Sequence, residues 1–532
     1  MTVAAKTDVL HYSADVLVIG GGPAGTWAAL SAAANGAKVI LADKGYCGTS
    51  GATAPSGTGV WYVEPEEEKR EAAMASREAL GGYLADRGWM KRVLDQTYTN
   101  MNDLALAGYP FPLDDDGHSY RRSLQGPEYM KLMRKRIRKA GVVILDHSPA
   151  QELLTDGFGV GGASGVQLTT GQRWTVKAGA VVIASGGCAF LSRALGSNVL
   201  TGDGYLLAAE AGASLSGMEF SNAYAISPVF STVTKTAFYT WASFYYGDGT
   251  LIEGAGSQKG RSVIAKTLLT QPVYASLDRT TEEMRRWMRT AQPNFFLPFD
   301  RLGIDPFTQK FPVTLRLEGT VRGTGGIHLT DESCATGVPG LYAAGDAATR
   351  QFICGGFTGG GSHNAAWAMS SGYWAGEAAS AHAAALGPRL HTRELKGLNS
   401  GLSSSVLGGD DVRELITAVK REVEPYDINL FRTEAKLKPS LGRLNTIWKE
   451  VRFGAAEDSA LAVKLRETQA MAATGRWMYA SALARTETRG MHKRVDYAGT
   501  DPAQHYRLLT GGLDDVWVKP DEASVRTGVY VG

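Results

Sequence analysis

Three glycines near the amino terminus have the spacing of a loop that binds the phosphates of a dinucleotide. They are Gly20, Gly22 and Gly25, in a G-x-G-x-x-G pattern. In such a loop the first glycine makes a tight turn, the second lets the backbone approach the pyrophosphate, and the third allows a helix to pack closely on a strand. Asp43 follows 23 residues after Gly20, where a carboxylate can accept a hydrogen bond from a ribose hydroxyl.

Two later segments have the pattern of an apolar strand followed by small residues. Residues 179–187 read GAVVIASGG, and residues 339–346 read PGLYAAGD and end in Gly345 and Asp346. A carboxylate at such a strand end can reach a ribityl hydroxyl, while the glycine leaves room for the cofactor chain. One fingerprint and two such segments on one chain favour a long, extended dinucleotide, FAD, over a nicotinamide that comes and goes.

The elements that must position these residues can be read around the fingerprint. Residues 14–19 form a short apolar run typical of a buried parallel strand. A helix of small residues follows from Thr26 to Asn35, and a second strand, residues 38–42, leads into Asp43. A glycine-rich turn alone is a weak signal, but strand, turn, helix, second strand and acid in register predict a Rossmann-like α/β domain.

The composition narrows the classes of function. The chain has 532 residues, which predicts two or three domains, and a net charge of +2, which gives no electrostatic basis for binding nucleic acid. None of its four cysteines forms a C-x-x-C pair, so the chain offers no iron–sulfur or zinc ligand set of its own. No apolar run reaches the roughly 20 residues of a membrane helix. We therefore expect a cytoplasmic protein without a metal site or membrane insertion.

A series of motifs along the chain resembles the flavoprotein subunits of the fumarate reductase/succinate dehydrogenase superfamily. That superfamily includes L-aspartate oxidase and the α-subunit of adenylylsulfate reductase. Besides the segments above, the matching motifs are TGDG at 201–204 with AGA at 211–213, MEF at 218–220, GGI at 325–327 and RTETRGMHKRVDY at 485–497.

The resemblance implies an α/β architecture built from three domains. A Rossmann-like FAD-binding domain would comprise residues 1–215 and 335–390, with an α+β capping domain, residues 216–334, inserted between them. A C-terminal helical domain would cover residues 405–532.

The resemblance also implies a set of FAD contacts. They are Gly20, Gly22, Pro23, Ala24, Gly25, Asp43, Lys44, Ser50, Gly51, Ala52, Ala150, Ala184, Gly186, Asp203, Gly345, Asp346 and Ser362.

The chain departs from the family at residues that carry the family's chemistry. Where members with a covalent flavin have a histidine, residues 49–54 read TSGATA, which predicts non-covalent FAD. Two histidines and an arginine that bind dicarboxylates are replaced by Tyr224, Val321 and Phe357. Without these donors we expect neither fumarate nor succinate to be the substrate. The short stretches SGA and GSH, at 50–52 and 361–363, resemble adenylylsulfate reductase α-subunits instead.

Four side chains are candidates for the chemistry on the substrate: Arg322, His363, Tyr224 and Arg261. Arg322, two residues before Thr324, is expected near the flavin ring, to pair with an anionic substrate, to pair with the N1–C2 carbonyl charge of reduced flavin, or to form a salt bridge between cap and core. His363 begins a helix and either reaches the flavin or only packs. Tyr224 replaces a substrate residue and is expected in the pocket, as an aromatic wall or a proton donor. Arg261 lies roughly where the family keeps its proton-delivering arginine.

These features predict an FAD-dependent oxidoreductase that transfers a hydride between a small polar or anionic organic substrate and flavin N5. A second hypothesis is the catalytic flavoprotein subunit of an adenylylsulfate-reductase-like complex, which exchanges electrons with a separate ferredoxin-like iron–sulfur protein. A third, of another class, is a non-enzymatic flavin-binding sensor.

Overall fold

A five-stranded parallel sheet lies at the centre of the amino-terminal part of the protein. The computed structural model describes residues 9–114, 116–256, 260–357, 361–398 and 405–525. In sheet order the strands are Leu341–Ala343, Ala180–Ile183, Val16–Ile19, Val39–Ala42 and Val143–Leu145. Every residue of the three middle strands is buried. Such uniformly apolar strands are typical of a parallel sheet with both faces covered.

The fingerprint helix, Pro23–Ala34, connects Val16–Ile19 to Val39–Ala42 and packs along the helix Gly361–Leu386. The contact is close, because a Cβ on Gly372 would lie 2.3 Å from the carbonyl oxygen of Ala24. The small residues of the fingerprint helix allow this close packing, and the packing fixes the position of the loop that precedes the helix. The other helices of eight or more residues in this part are Glu67–Leu80, Arg87–Leu106, Gly126–Lys139 and Asp203–Glu210.

A second, mixed sheet lies beside the first in the amino-terminal part. In order its strands are Leu10–Ser13, Arg173–Lys177, Gly159–Val166, Ala150–Asp156 and Lys396–Gly397. Only the first pair is parallel. Ala150 begins its strand and is buried there, which gives this predicted adenine contact a rigid position.

An antiparallel sheet occupies the segment predicted to form the cap. Its strands, in order, are Ala223–Pro228, Phe311–Glu318, Val273–Ser276 and Ser243–Tyr245. The helices Gly260–Leu268, Glu282–Ala291 and Pro293–Leu302 accompany it, and Phe295, Phe299 and Phe311 are fully buried in the aromatic core between them. The longest strand runs directly into a short helix, Gly319–Arg322. The cap sheet thereby determines where Arg322 lies.

Three long helices form most of the C-terminal region: Gly409–Val423, Glu434–Val451 and Ser459–Ala484. The region is not purely helical. The strand Trp517–Pro520 pairs with Leu508–Gly511, which pairs with Leu215–Ser216, and this strand in turn pairs with Gly326–Ile327. This small antiparallel sheet joins the C-terminal region to the two ends of the cap segment. The predicted fold class, an α/β FAD-binding fold with an inserted cap and a C-terminal helical region, is confirmed.

The predicted motif at 485–497 forms a buried ionic network. Arg485 donates to Glu219 at 2.9 Å and to Glu487 at 2.8 Å, and Arg489 donates to Glu487 at 2.7 Å and to the carbonyl of Gly82 at 2.7 Å. Each of these charged side chains is at most 4% exposed. The network therefore ties the C-terminal region to the MEF segment and to the amino-terminal part.

Among the described residues, none of the helices combines the length and apolar character that crossing a bilayer requires.

Candidate active site

A cavity of about 550 Å³ opens where the parallel strands end. Residues at or just after the carboxyl ends of four strands line it: Ile19, Asp43, Ala184 and Asp346. Ligands bind at this edge in open α/β sheets, because the loops and helix N-termini of neighbouring units converge there. The volume is typical of a cavity that holds one organic ligand.

The glycine loop has the geometry that phosphate binding requires. Gly20 has φ +110°, and a Cβ on Gly25 would lie 1.8 Å from the carbonyl oxygen of Gly20, so the loop and helix leave no room for a side chain there. A Cβ on Gly22, in contrast, would meet no protein atom within 4 Å. No side chain caps the helix that begins at Pro23. The loop therefore presents a free helix N-terminus toward the cavity, which suits a pyrophosphate.

Asp43 lines the cavity and is bound by protein donors on both oxygens. One oxygen accepts from the amide of Gly21 at 2.6 Å, and the other accepts from the amide of Gly45 at 2.7 Å and the hydroxyl of Ser50 at 2.8 Å. The predicted bond to a ribose would have to share these oxygens. In this structure Asp43 holds the glycine loop and the 45–50 turn together.

Lys44 and Asp203, both predicted FAD contacts, form a bridge at the cavity wall. The Lys44 Nζ donates to Asp203 at 2.9 Å, to Thr201 at 2.9 Å and lies 2.6 Å from Glu467. Burial acts to lower the pKa of Lys44, but the attraction of Asp203 and Glu467 outweighs it and raises the pKa. Glu467 belongs to the helix Ser459–Ala484. The C-terminal region thus braces the FAD side of the cavity.

Asp346 also lines the cavity, and an arginine that sequence reasoning missed holds it. The guanidinium of Arg350 is fully buried, pairs with Asp346 and donates to the carbonyl of Thr320 at 2.8 Å and that of Val321 at 3.2 Å. Burial raises the pKa of Asp346 although Arg350 opposes this. Arg350 therefore links the end of a core strand to the segment that carries Arg322. The i, i+4 spacing of an acid and an arginine was the available signal for this pair.

Most of the predicted FAD contacts line this one cavity. Of the described residues, those that do so are Gly20, Gly22, Pro23, Ala24, Asp43, Lys44, Ser50, Gly51, Ala52, Ala150, Ala184, Gly186, Asp203, Gly345 and Asp346. Gly25 lies behind them in the helix packing. Ser362 lies beyond the wall, where its hydroxyl bonds to His363 at 3.1 Å and its carbonyl accepts from the amide of Trp61 at 3.0 Å. Direct contact of each residue with FAD stays a prediction.

The cap contributes one side of the cavity, formed by residues 235–238, 291–292 and 321–322, and we call this surface the cap wall. Arg322 lies on it and donates to Glu318 at 3.2 Å. Glu318 is fully buried and also accepts from Thr234 at 2.7 Å. Burial acts to raise the pKa of Glu318, but the charges of Arg322 and Lys235 outweigh it and lower the pKa. Arg322 is therefore held in place by an ionised carboxylate behind it.

Lys235 is a cap-wall residue for which the sequence carried no signal. Its Nζ donates to the carbonyl of Ala52, across the seam between the cap and the FAD side, at 2.6 Å. Burial lowers the pKa of Lys235 to about 8. The backbone carbonyl of Lys235 accepts from Gln292 at 2.8 Å, and Gln292 lines the cavity as well.

The other candidate side chains lie elsewhere. Tyr224 was expected in the pocket, and that placement is wrong. Its hydroxyl donates to the carbonyls of Glu424, at 2.9 Å, and Val423, at 3.3 Å, and its ring meets Tyr426 edge-on. Side chains alternate along a strand, and the face that carries Tyr224 packs on the C-terminal region.

His363 and Arg261 also lie outside the wall of the cavity. The His363 ring packs on Trp61 with centroids 4.6 Å apart, and burial holds its pKa well below the usual range, so it is neutral. Its helix neighbour Asn364 faces the cavity instead, because successive helix residues point about 100° apart. Arg261 is solvent-accessible, yet surrounding protein lowers its pKa to about 10. The charges of Arg322 and Glu318 also act on its pKa, Arg322 lowering it and Glu318 raising it.

Comparison with known proteins agrees with this geometry. The FAD binding domain family matches residues 15–228, and the fumarate reductase flavoprotein C-terminal family matches residues 422–518. The chain is 23% identical to a subunit of the CoM/CoB fumarate reductase of Methanothermobacter marburgensis, over 94% of this chain and 97% of that protein. It is 27% identical to L-aspartate oxidase of Mycobacterium tuberculosis, over 94% of this chain and 96% of that one.

Solved structures share the fold over nearly the whole chain. Quinol fumarate reductase of E. coli superposes with a TM-score of 0.82 at 20% identity, covering 98% of both chains. Adenylylsulfate reductase of Archaeoglobus fulgidus superposes with a TM-score of 0.76 at 17% identity, covering 97% of this chain and 96% of that one. These likenesses show a shared fold, and the two matched families together with the glycine cradle described above give FAD as the cofactor. The chain belongs to the fumarate reductase/succinate dehydrogenase flavoprotein superfamily of FAD-dependent oxidoreductases.

Proposed function

We propose that this FAD-dependent oxidoreductase transfers a hydride between flavin N5 and a small anionic organic molecule that is neither fumarate nor succinate. The observation that carries the proposal is the charge of the cap wall. It presents Arg322 and Lys235 to the cavity and no acid of its own. The acids on the opposite side, Asp43, Asp203 and Asp346, are each bound to protein donors. Glu318, the acid that pairs with Arg322, lies behind this wall, so an anion at the cap wall would meet two cationic side chains and no facing carboxylate.

The positions of the family's dicarboxylate ligands support the second half of the proposal. Val321 lines the cavity and offers it an apolar side chain where the family has a histidine. Tyr224 packs on the C-terminal region. The backbone carbonyl of Phe357 accepts a hydrogen bond from Arg77 at 3.1 Å. Neither Tyr224 nor Phe357 lies in the described wall of the cavity. A substrate with two carboxylates would lack the second set of charged donors that bidentate recognition needs.

The remaining residues of the site have roles that follow from their contacts. Bound FAD supplies the hydride acceptor or donor at N5. Arg322 binds the substrate anion, and Glu318 fixes the direction of its guanidinium. Arg350 orders the 320–323 backbone that carries Arg322. The cap wall excludes water from the reacting atoms, which strengthens the ion pair with the substrate.

Anaerobic reduction of the bound flavin tests the proposal. We expect at least one of the monocarboxylates lactate, glycolate or 2-hydroxybutyrate to bleach the oxidised-flavin absorbance, and succinate to leave it unchanged. Arg322→Gln should raise the half-saturating concentration of the active anion about 10-fold or more, which corresponds to about 1.4 kcal/mol. Arg301→Gln, at an exposed arginine on a cap helix, is the matched control. Efficient fumarate reduction, or an Arg322→Gln enzyme with unchanged saturation, would contradict the proposal.

A second candidate is the catalytic flavoprotein subunit of an adenylylsulfate-reductase-like complex, which exchanges electrons with a separate ferredoxin-like iron–sulfur protein. It is favoured by the relative from Methanothermobacter marburgensis, which is one subunit of a fumarate reductase. All four cysteines are buried and free of disulfides, so clusters would belong to the partner. Turnover that depends on an added ferredoxin, with slow reoxidation of the flavin in air, would support this candidate over a self-sufficient enzyme.

We also propose that FAD is bound without a covalent link. Residues 50–53, within the stretch where members with a covalent flavin have a histidine, line the cavity with serine, glycine, alanine and threonine. None of these side chains is a histidine that could carry the flavin. The cofactor should therefore leave the protein when it unfolds.

A further inference from the structure

Lys235 has an unusual position for a lysine. It lines the cavity, its ammonium crosses from the cap to the FAD side, and its hydrogen-bond acceptor there is the backbone carbonyl of Ala52, at 2.6 Å. No carboxylate of the described chain lies within ion-pair distance of it. A second hydrogen bond joins the cap to the FAD side: the Asn294 side chain of the cap donates to the backbone carbonyl of Pro55 at 3.0 Å. Lys235 is therefore held where the cap meets residues 50–52, which are predicted FAD contacts.

The cavity offers few other side chains that can carry a proton. Its titratable lining residues, among those described, are Asp43, Lys44, Asp203, Lys235, Arg322 and Asp346. Lys44 and Asp203 bind each other, and Asp346 is paired with Arg350. Asp43 accepts three protein donors. The guanidinium of Arg322 is bound to Glu318, and guanidinium groups do not act as proton acceptors and donors as readily as amines do. Lys235 remains as the lining residue with a transferable proton and no charged partner.

The charges around Lys235 set its proton affinity. Burial is the main influence and, together with the positive charge of Arg322, lowers its pKa to about 8. Glu318 and Asp346 act in the opposite direction. The side chain thus changes charge close to neutral pH, where a group transfers protons most effectively in both directions.

We propose that Lys235 is the proton-transferring residue of the substrate site. In the oxidative direction one substrate C–H bond breaks and its electron pair leaves as hydride for flavin N5. The adjacent substrate atom gives its proton to the neutral Nζ of Lys235, and a double bond forms between the two substrate atoms. In the reductive direction the ammonium returns this proton. The assignment rests on the proposed function, because it assumes hydride transfer in this cavity.

The sign of the pH dependence follows from these roles. Oxidation needs the neutral amine, so its rate should rise with pH and level off above about pH 8. Reduction needs the ammonium, so its rate should fall over the same range. The opposite slopes distinguish Lys235 from a residue that only fixes the cap, whose ionisation would affect both directions alike.

The test compares Lys235→Met and Lys235→Arg with Lys266→Met, a matched change at an exposed lysine of the cap helix Gly260–Leu268. We expect all three proteins to keep FAD. Flavin reduction by the active probe among lactate, glycolate and 2-hydroxybutyrate should fall about 100-fold or more in both Lys235 variants and stay unchanged in Lys266→Met. Methylamine added to Lys235→Met should restore part of the rate, because a small amine can occupy the vacated space.

A readout independent of turnover completes the experiment. The rate at which acetic anhydride labels Lys235, followed by peptide mass spectrometry against pH, should give a midpoint near pH 8. Labelling that titrates like Lys266 would overturn the proposal whatever the enzyme does. Failure of every probe to reduce the wild-type flavin would remove the proposed function and the role of Lys235 with it. Normal wild-type reduction that survives Lys235→Met within about threefold would remove the role of Lys235 alone.

Discussion

Replacing two glycines of the fingerprint one at a time should separate the space reserved for FAD from the packing of the protein itself. Gly22 and Gly25 belong to the same six-residue fingerprint, but the atoms around them differ. A Cβ on Gly25 would lie 1.8 Å from the carbonyl oxygen of Gly20, and a Cβ on Gly22 would meet no protein atom within 4 Å. We expect Gly25→Ala to damage the fold and Gly22→Ala to damage only the binding of FAD.

The expected magnitudes follow from these distances. Ordinary contact begins near 3.4 Å, so the strand end and helix start would have to separate by about 1.6 Å in Gly25→Ala. Overpacking of this kind costs about 3 kcal/mol or more when backbone must move. Gly22 has φ −74° and ψ −171°, which alanine adopts without strain, and Gly22→Ala should stabilise the apoprotein by up to about 1 kcal/mol. Its methyl group would nevertheless meet the pyrophosphate, and the Kd for FAD should rise about 10-fold or more.

Two measurements suffice for both variants. Thermal unfolding of the apoprotein reports the packing, and titration with FAD, followed by quenching of flavin fluorescence, reports the Kd. An apo-Gly25→Ala protein as stable as wild type would refute the packing argument. Wild-type affinity in Gly22→Ala would show that FAD does not approach the loop at Gly22.

Three further changes test other parts of the molecule. Tyr224→Phe should lower the free energy of unfolding by about 1 kcal/mol in urea titrations and leave flavin reduction unchanged. Slower flavin reduction with wild-type stability would instead show that Tyr224 acts in the substrate site. Arg494 lowers the pKa of Asp496 to about 2, so this pair stabilises the fold above the unfolded pKa near 4 and ceases to do so as pH falls toward 2. Asp496→Asn should therefore cost about 1 kcal/mol near pH 7, after solvent screening, and nothing below about pH 2; equal losses at both pH values would disprove the assignment. Acid precipitation should release FAD into the supernatant, whereas yellow colour in the pellet would reveal a covalent bond.

Features that depend on short stretches of chain were predictable. The strand, turn and helix around Gly20 follow from local apolar pattern and glycine spacing, and the structure has them at Val16–Ile19 and Pro23–Ala34. The same holds for Asp346, which closely follows the strand Leu341–Ala343. Parallel strands bring their carboxyl ends to one edge, so motifs far apart in sequence converge without further information.

Features that depend on which face of an element meets which neighbour were not predictable. Tyr224 matches a substrate position of the family, yet its strand directs that side chain toward the C-terminal region. There the backbone carbonyls of Glu424 and Val423 accept hydrogen bonds from its hydroxyl. His363 and Asn364 are adjacent, and only Asn364 faces the cavity. A motif gives the residue type and the approximate place, but one step along a strand or helix reverses or rotates the side chain.

The glycine loop, the strand ends and the superfamily motifs together determined from the sequence alone that this chain binds FAD. The composition of the cap wall was decided only by the tertiary structure. Lys235 meets Ala52 across 183 residues of sequence, and Arg322 owes its direction to Glu318 behind it. The cofactor site repeats one local geometry that many sequences share, so its motifs are recognisable. The substrate side is built from long-range contacts between the cap and the FAD fold, and no local pattern records which of its charges will face the cavity.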